Sequence, residues 1–191
     1  MVVAAVHDMA NEGQEIDTAA LKAAVLRANQ QVLDAAAGNS SYEGMGSTAT
    51  ILHVDEHAGM AYYAHVGDSR LYLLRHGIFR QVSRDHSYVE ELVARGELSE
   101  AEAQHHPRKN LLLRAVGIEE HLHVDGDSFP LAAGDRLLLA TDGLTNMVDD
   151  DELSSLLGGN FADVAERMVE QALAGGGSDN ITAIALAYEI P

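Results

Sequence analysis

The chain has 191 residues, no cysteine and a formal net charge of −18, from 30 acidic and 12 basic side chains. The absence of cysteine excludes a disulfide framework and thiolate chemistry. So acidic a surface repels nucleic acid and anionic lipid, whose binding relies on lysine and arginine, so neither is an expected partner. It also opposes a free phosphate anion, so any phosphoryl site must carry its own positive charge, which a bound cation would supply.

Hydrophobic residues make up 47% of the chain, yet no stretch approaches the ~20 apolar residues of a membrane span. Met1-Val2-Val3-Ala4-Ala5-Val6-His7-Asp8 lacks a basic n-region and a cleavage site, so it does not read as a signal peptide, and a cytoplasmic location is the default. The length fits one domain, residues 1–191, large enough to bury a substantial core.

The first residues are apolar and helical in character but begin without a capping residue. Asp17 can cap a second helix whose apolar stripe, Leu21, Val25, Ala28 and Val32, follows one helical face. Gly38 and the polar Asn39-Ser40-Ser41 end it. From Ser47 to Ser83 the pattern turns to strands: Ser47 to Val54, Met60 to Val66, Leu71 to Arg75 and Ile78 to Val82. Short turns at His57-Ala58-Gly59, Gly67-Asp68 and His76-Gly77 predict an antiparallel meander.

Residues 85–117 revert to helix, with two successive capping-box patterns, Ser87-x-x-Glu90 and Ser99-x-x-Glu102. Gly96 and Pro107 close these short helices, which form a small subdomain between strand pairs. Strands resume at about His121 to Phe129 and, after Ala133-Gly134-Asp135, from Arg136 to Thr141. Two helices follow, near 149–157 and 161–174. The run Asp149-Asp150-Asp151-Glu152 reads as a helix N-terminus, where negative charge is favoured. Gly175-Gly176-Gly177 breaks the last helix, and Asn180 to Tyr188 closes as a strand. Runs of strands with helices segregated outside them predict an α+β fold.

Three aspartates stand in glycine-containing turns beside strand-like runs. Asp68 lies in Val66-Gly67-Asp68-Ser69-Arg70, Asp142 in Thr141-Asp142-Gly143-Leu144, and Asp179 in Gly177-Ser178-Asp179-Asn180. Taken singly, each is equally a turn or solvated loop residue, since Asp-Gly is a common turn pair. Taken together, three strand-end carboxylates suit hard, oxygen-seeking cations such as Mg2+ or Mn2+.

Other chemistries find less support. There are 10 histidines, but no Cys/His cluster and no His-Glu-x-x-His helix for zinc. Ser47, Ser69 and Ser87 have no histidine arranged as a base beside them. Arg70, Arg84 and Arg114 could touch phosphate or simply pair with the surplus carboxylates.

In chain order stand Met45-Gly46-Ser47-Thr48, Gly67-Asp68-Ser69-Arg70, Asp85-His86-Ser87, Leu113-Arg114-Ala115-Val116-Gly117, Asp142-Gly143-Leu144 and Gly177-Ser178-Asp179-Asn180-Ile181-Thr182. This series resembles the metal-dependent PPM-type (PP2C-like) protein serine/threonine phosphatases in their compact bacterial form, over about residues 1 to 190. The resemblance implies two packed antiparallel sheets flanked by helix pairs, in four α-β-β-α layers, with residues 85–117 as a flap beside the active site. It implies hydrolysis of phosphoserine and phosphothreonine by water activated on Mn2+ or Mg2+, with two or three ions in the complete site. Asp142 and Asp179 would act through bound metal and Asp68 would hold a further ion. Substrates would be phosphoproteins made by serine/threonine kinases, and the chain a monomer.

One part of the pattern has no counterpart. The family carries an N-terminal Asp-Gly turn, commonly Asp-Gly-Met-Gly-Gly, whose aspartate bridges both core metals, and a preceding strand with a phosphate-contacting arginine. Met1 to Val6 align instead with the helix that follows that turn. The expectation from sequence is therefore a domain incomplete at its N-terminus, whether a fragment, a misplaced start or a degenerate paralogue. A catalytically impaired binding or regulatory module is the alternative to the enzyme.

Overall fold

A computed structural model describes residues 1–11, 13 and 15–189. The chain divides into two compact units, Met1–Asp68 with Asp85–Phe129, and Ser69–Arg84 with Pro130–Pro191.

The first unit opens with helices α1 (Val2–Asn11) and α2 (Thr18–Gly38). Asp17 caps α2 as its spacing predicts, accepting from the Ala20 N–H at 2.8 Å and so satisfying one of the unpaired donors of the first turn. Leu21, Val25, Ala28 and Val32 are all buried, so the apolar stripe is the core-facing one. Leu21, Val25 and Val32 pack with Met9 against Ala49, Ala64 and Val66 of the hairpin β1 (Ala49–Asp55) and β2 (Met60–Val66), and against Val116, Leu122 and Val124. The hairpin register runs from Ala49↔Val66 to Asp55↔Met60. Its turn is held by Asp55 Oδ1, which accepts from the N–H groups of His57 (2.9 Å) and Ala58 (3.0 Å). After this hairpin come α3 (Tyr88–Ala94) and α4 (Glu100–Gln104). Ser99 and Glu102 form the reciprocal capping box, and Ser87 accepts from the Glu90 N–H at 3.2 Å.

The second unit is built on a four-stranded antiparallel sheet in the order β4-β3-β6-β7, of β3 (Arg70–Arg75), β4 (Ile78–Gln81), β6 (Asp135–Ala140) and β7 (Ala183–Tyr188). Beside this sheet lie α5 (Asp142–Thr145), α6 (Asp150–Gly158) and α7 (Val164–Ala174). Leu144, Val148, Leu153, Leu157, Val164, Met168 and Ala172 join Tyr72, Leu74, Leu138 and Ala140 in one apolar cluster. Each fully buried leucine contributes roughly 1.5–3 kcal/mol. Asp149 caps α6 by accepting from the Glu152 N–H at 2.9 Å, so the acidic run is indeed a helix start. Asp135, only 1% exposed, takes two hydrogen bonds from Arg75 (2.7 and 2.6 Å) and one from the Ala132 N–H.

An α+β fold with two antiparallel sheets therefore stands as expected, but the strands are shared out differently from a single meander. β1 and β2 belong to a three-stranded sheet, β1-β2-β5, with β5 at Ser128–Pro130. β3 and β4 pair in the other sheet, where β3 takes β6 as its second neighbour. Gly67 redirects the chain between them. Its φ of +111° is open to glycine, and a Cβ there would stand 2.3 Å from Thr48 Cγ2. The expected strand from His121 is also shorter. Leu122 and Val124 do face inward, but before Ser128 the links to β2 are the isolated His65↔Asp125 bridge and the Tyr63 N–H, which donates to Asp127 O at 2.9 Å. The alternation reflects burial more than ladder pairing. No helix among the described residues is long and apolar enough to cross a membrane.

Candidate metal centre

β6 and β7 run antiparallel with Ala140 opposite Ala183, so the end of β6 and the start of β7 are neighbours. The pairing continues past the strands, where the Thr141 N–H donates to Thr182 O at 3.1 Å. The Thr141 side chain adds two bonds. Its Oγ1 donates to Asn180 O at 3.2 Å and accepts from the Thr182 N–H at 3.0 Å. Thr141 occupies the N-cap position of α5 yet makes no side-chain cap bond, because its hydroxyl is engaged with β7's approach. The turns bearing Asp142 and Asp179 are thereby stitched together.

Gly143 sets how close they come. A Cβ at Gly143 would stand 2.3 Å from Asn180 O and 2.9 Å from Asn180 C, so no side chain fits there. The glycine after Asp142 serves backbone approach, and its turn is packed against the residue after Asp179. Asp142 is half-buried and Asp179 exposed. Asp179 Oδ1 accepts from the Asn180 N–H at 2.7 Å, which orients its carboxylate on the loop. Two carboxylate-bearing turns held side by side offer oxygen donors alone, the set hard divalent cations take, so these residues fit such an ion. Among the described residues, no three His, Asp or Glu side chains gather into a complete metal-holding group.

Asp68 belongs to the first unit, at the end of β2, and is half-buried. The Gly67 N–H donates to His86 Nδ1 at 3.2 Å, and the His86 N–H donates to Gly67 O at 2.7 Å. His86 Nε2 lies 3.2 Å from Asp125 Oδ2, while Arg114 and His123 reach Asp125 Oδ1, each at 3.2 Å. Burial pushes the His86 imidazole below its usual range, against the pull of the Asp125 carboxylate. Burial raises Asp125, but its bond to His86, its proximity to that ring and the Arg114 guanidinium together hold it below the ordinary carboxylate value.

Of the arginines read as possible phosphate contacts, Arg114 pairs with a carboxylate, and Arg70 donates to the Tyr72 hydroxyl at 3.0 Å. Two organising side chains went unread in the sequence. Thr141 is an ordinary strand-end threonine until β7 lies beside it. His86 stands inside the quoted Asp85-His86-Ser87 motif, which was the available signal, though the motif alone assigns it no partner.

Residues 1–183 match the sequence profile of protein phosphatase 2C. The chain is 38% identical over 173 residues to the serine/threonine phosphatase Stp of Listeria monocytogenes, an alignment covering 90% of this chain and 68% of that protein. The Mycobacterium tuberculosis serine/threonine phosphatase PstP/Ppp superposes with a TM-score of 0.89 at 34% identity, covering 99% of this chain and 80% of the other. A PstP catalytic domain in complex with two manganese ions gives a TM-score of 0.85 at 33% identity, over 96% of this chain and 77% of that one.

Proposed function

The chain belongs to the protein phosphatase 2C family, whose members here are serine/threonine phosphatases, and we propose that it removes phosphate from phosphoserine and phosphothreonine in proteins. Asp142 and Asp179 are the proposed ligands of Mn2+ or Mg2+, and Asp68 the proposed ligand of a further ion, two or three ions in all. One observation carries the reading: Gly143 lies against Asn180 with no room for a side chain, making the Asp142 and Asp179 turns neighbours. When bound, such cations lower the pKa of water and neutralise charge on phosphoryl oxygens.

The remaining work falls to the chain's own residues. A surface at −18 repels a phosphoprotein's anionic ester, so the carboxylates must gather positive charge before substrate can approach. Thr141 keeps the two turns from parting, through bonds to Asn180 and Thr182. Holding groups in place before substrate arrives is itself a large part of such catalysis. The proposal extends to a cytoplasmic monomer in bacterial signalling, reversing the action of serine/threonine kinases.

The test is phosphate release from a phosphothreonine peptide in millimolar Mn2+. Release that EDTA and Asp142→Ala each remove is expected. Release untouched by Asp142→Ala would overturn the reading.

A further inference from the structure

We infer that His86 is a positioning residue for Asp68, holding the Gly67–Asp68 peptide in place from the 85–117 segment. This rests on the reading of Asp68 as a metal ligand. Both polar groups of Gly67 are bonded to the same residue: its N–H donates to His86 Nδ1 and its carbonyl accepts from the His86 N–H. That carbonyl shares a rigid peptide plane with the Asp68 nitrogen. Fixing it therefore fixes where the Asp68 backbone begins. Glycine has the widest backbone freedom of any residue, so an unheld Gly67 would let Asp68 swing. Thr48 bars one side of Gly67 at 2.3 Å from a would-be Cβ, and His86 secures its polar groups.

The ring is itself held. His86 is 6% exposed, and its Nε2 faces Asp125 Oδ2 at 3.2 Å. Since Nδ1 accepts from Gly67, the ring proton is assigned to Nε2, where it is donated to Asp125. Asp125 is anchored to β2 through its own backbone: its N–H donates to His65 O at 3.0 Å, and its carbonyl accepts from the His65 N–H at 2.8 Å. The His86 carbonyl accepts from the Leu113 N–H at 2.8 Å, which ties the clamp to the far end of the same segment. A carboxylate orienting an imidazole that in turn orients a metal-site group is a recognised supporting arrangement. Here the imidazole acts on the peptide that carries the ligand.

A buried histidine that merely fills space would tolerate any polar residue of similar size, and two amides separate the cases. Asparagine sets its oxygen near the place of Nδ1, whereas glutamine reaches the place of Nε2 and leaves the Gly67 N–H without its acceptor. Mn2+ binding is measured by titration calorimetry on the 191-residue chain as wild type, Asp68→Asn, His86→Asn, His86→Gln and Asp125→Ala, with thermal melts as folding controls. Asp68→Asn is expected to remove one binding step. His86→Gln should weaken that same step roughly tenfold or more, His86→Asn by no more than about twofold, and Asp125→Ala by an intermediate factor. Wild-type binding in His86→Gln overturns the role of His86. Wild-type binding in Asp68→Asn overturns the ligand reading beneath it. Should both His86 variants fail to fold, Asp125→Ala, at a side chain 37% exposed, decides the point: wild-type binding there overturns the clamp.

Discussion

Gly143→Ala is the substitution that most sharply separates a metal site from a pair of ordinary turns. The added Cβ would stand 2.3 Å from Asn180 O and 2.9 Å from Asn180 C, both backbone atoms with no rotamer to yield. Reaching van der Waals contact of 3.4 Å or more requires the Asp142 turn and the Asp179 turn to part by roughly 1 Å. Three hydrogen bonds of 3.0–3.2 Å between Thr141 and the Asn180–Thr182 stretch stretch with them. Overpacking of this kind costs about 1–3 kcal/mol of stability, which leaves most domains folded. A displacement of about 1 Å at a catalytic constellation costs about 100-fold in rate. Gly143→Ala should therefore melt a few degrees lower while losing Mn2+ affinity and phosphate release by about two orders of magnitude. Gly158→Ala is the control, because its Cβ would meet only Leu74 Cδ2 at 3.4 Å and should leave both unchanged. Wild-type Mn2+ binding in a folded Gly143→Ala variant would refute the claim that the two turns act as one site.

Three further outcomes are expected. Asp135→Asn should destabilise the fold by about 3 kcal/mol, the low end for a broken buried pair, because Arg75 stays 32% exposed to water. Burial raises the Asp135 carboxyl, but the Arg75 and Ala132 hydrogen bonds outweigh it and hold the group below its usual value. The folded form thus binds this proton more weakly than the unfolded chain, so the contribution is complete above about pH 4 and lost as pH falls through the folded value. Denaturant melts of wild type and Asp135→Asn should converge in acid, and a gap that persists or widens there contradicts the sign. Asp17→Ala removes the α2 cap and should cost about 1 kcal/mol in the same melts, with no change meaning the cap is redundant. Amide exchange in the short helices α3 and α4 should outpace that in β3 and β6, and equal protection would show that the 85–117 segment is no softer than the sheet.

Local chemistry was legible in the sequence because its causes are local. Asp17, Ser99 and Asp149 cap the helices their spacing announces, and the Leu21-Val25-Ala28-Val32 stripe is the buried one. The Asp142 and Asp179 turns are neighbours because a strand end and a strand start adjoin in one sheet. Partnership across the fold was harder to read. Period-two alternation tells which face a residue occupies but not which strand it pairs with, so four consecutive strands looked like one meander although β2 and β3 enter different sheets. Leu122 and Val124 alternate to reach the core, and that mimics a strand. The tasks of Gly143, Thr141 and His86 depend on segments 19 to 41 positions away, as with the Gly67–His86 and Thr141–Thr182 bonds. No local pattern encodes such distances.

The central claim, that Asp142 and Asp179 share one cation, is tested most directly by a double-mutant cycle on Mn2+ binding. Calorimetric titrations of wild type, Asp142→Ala, Asp179→Ala and the double variant would be compared under identical buffer. If the two carboxylates serve one ion, each single change removes the same binding step and the double variant binds no more weakly than the worse single one. Losses that add, or wild-type binding in either single variant, would show that the two aspartates do not hold a common ion.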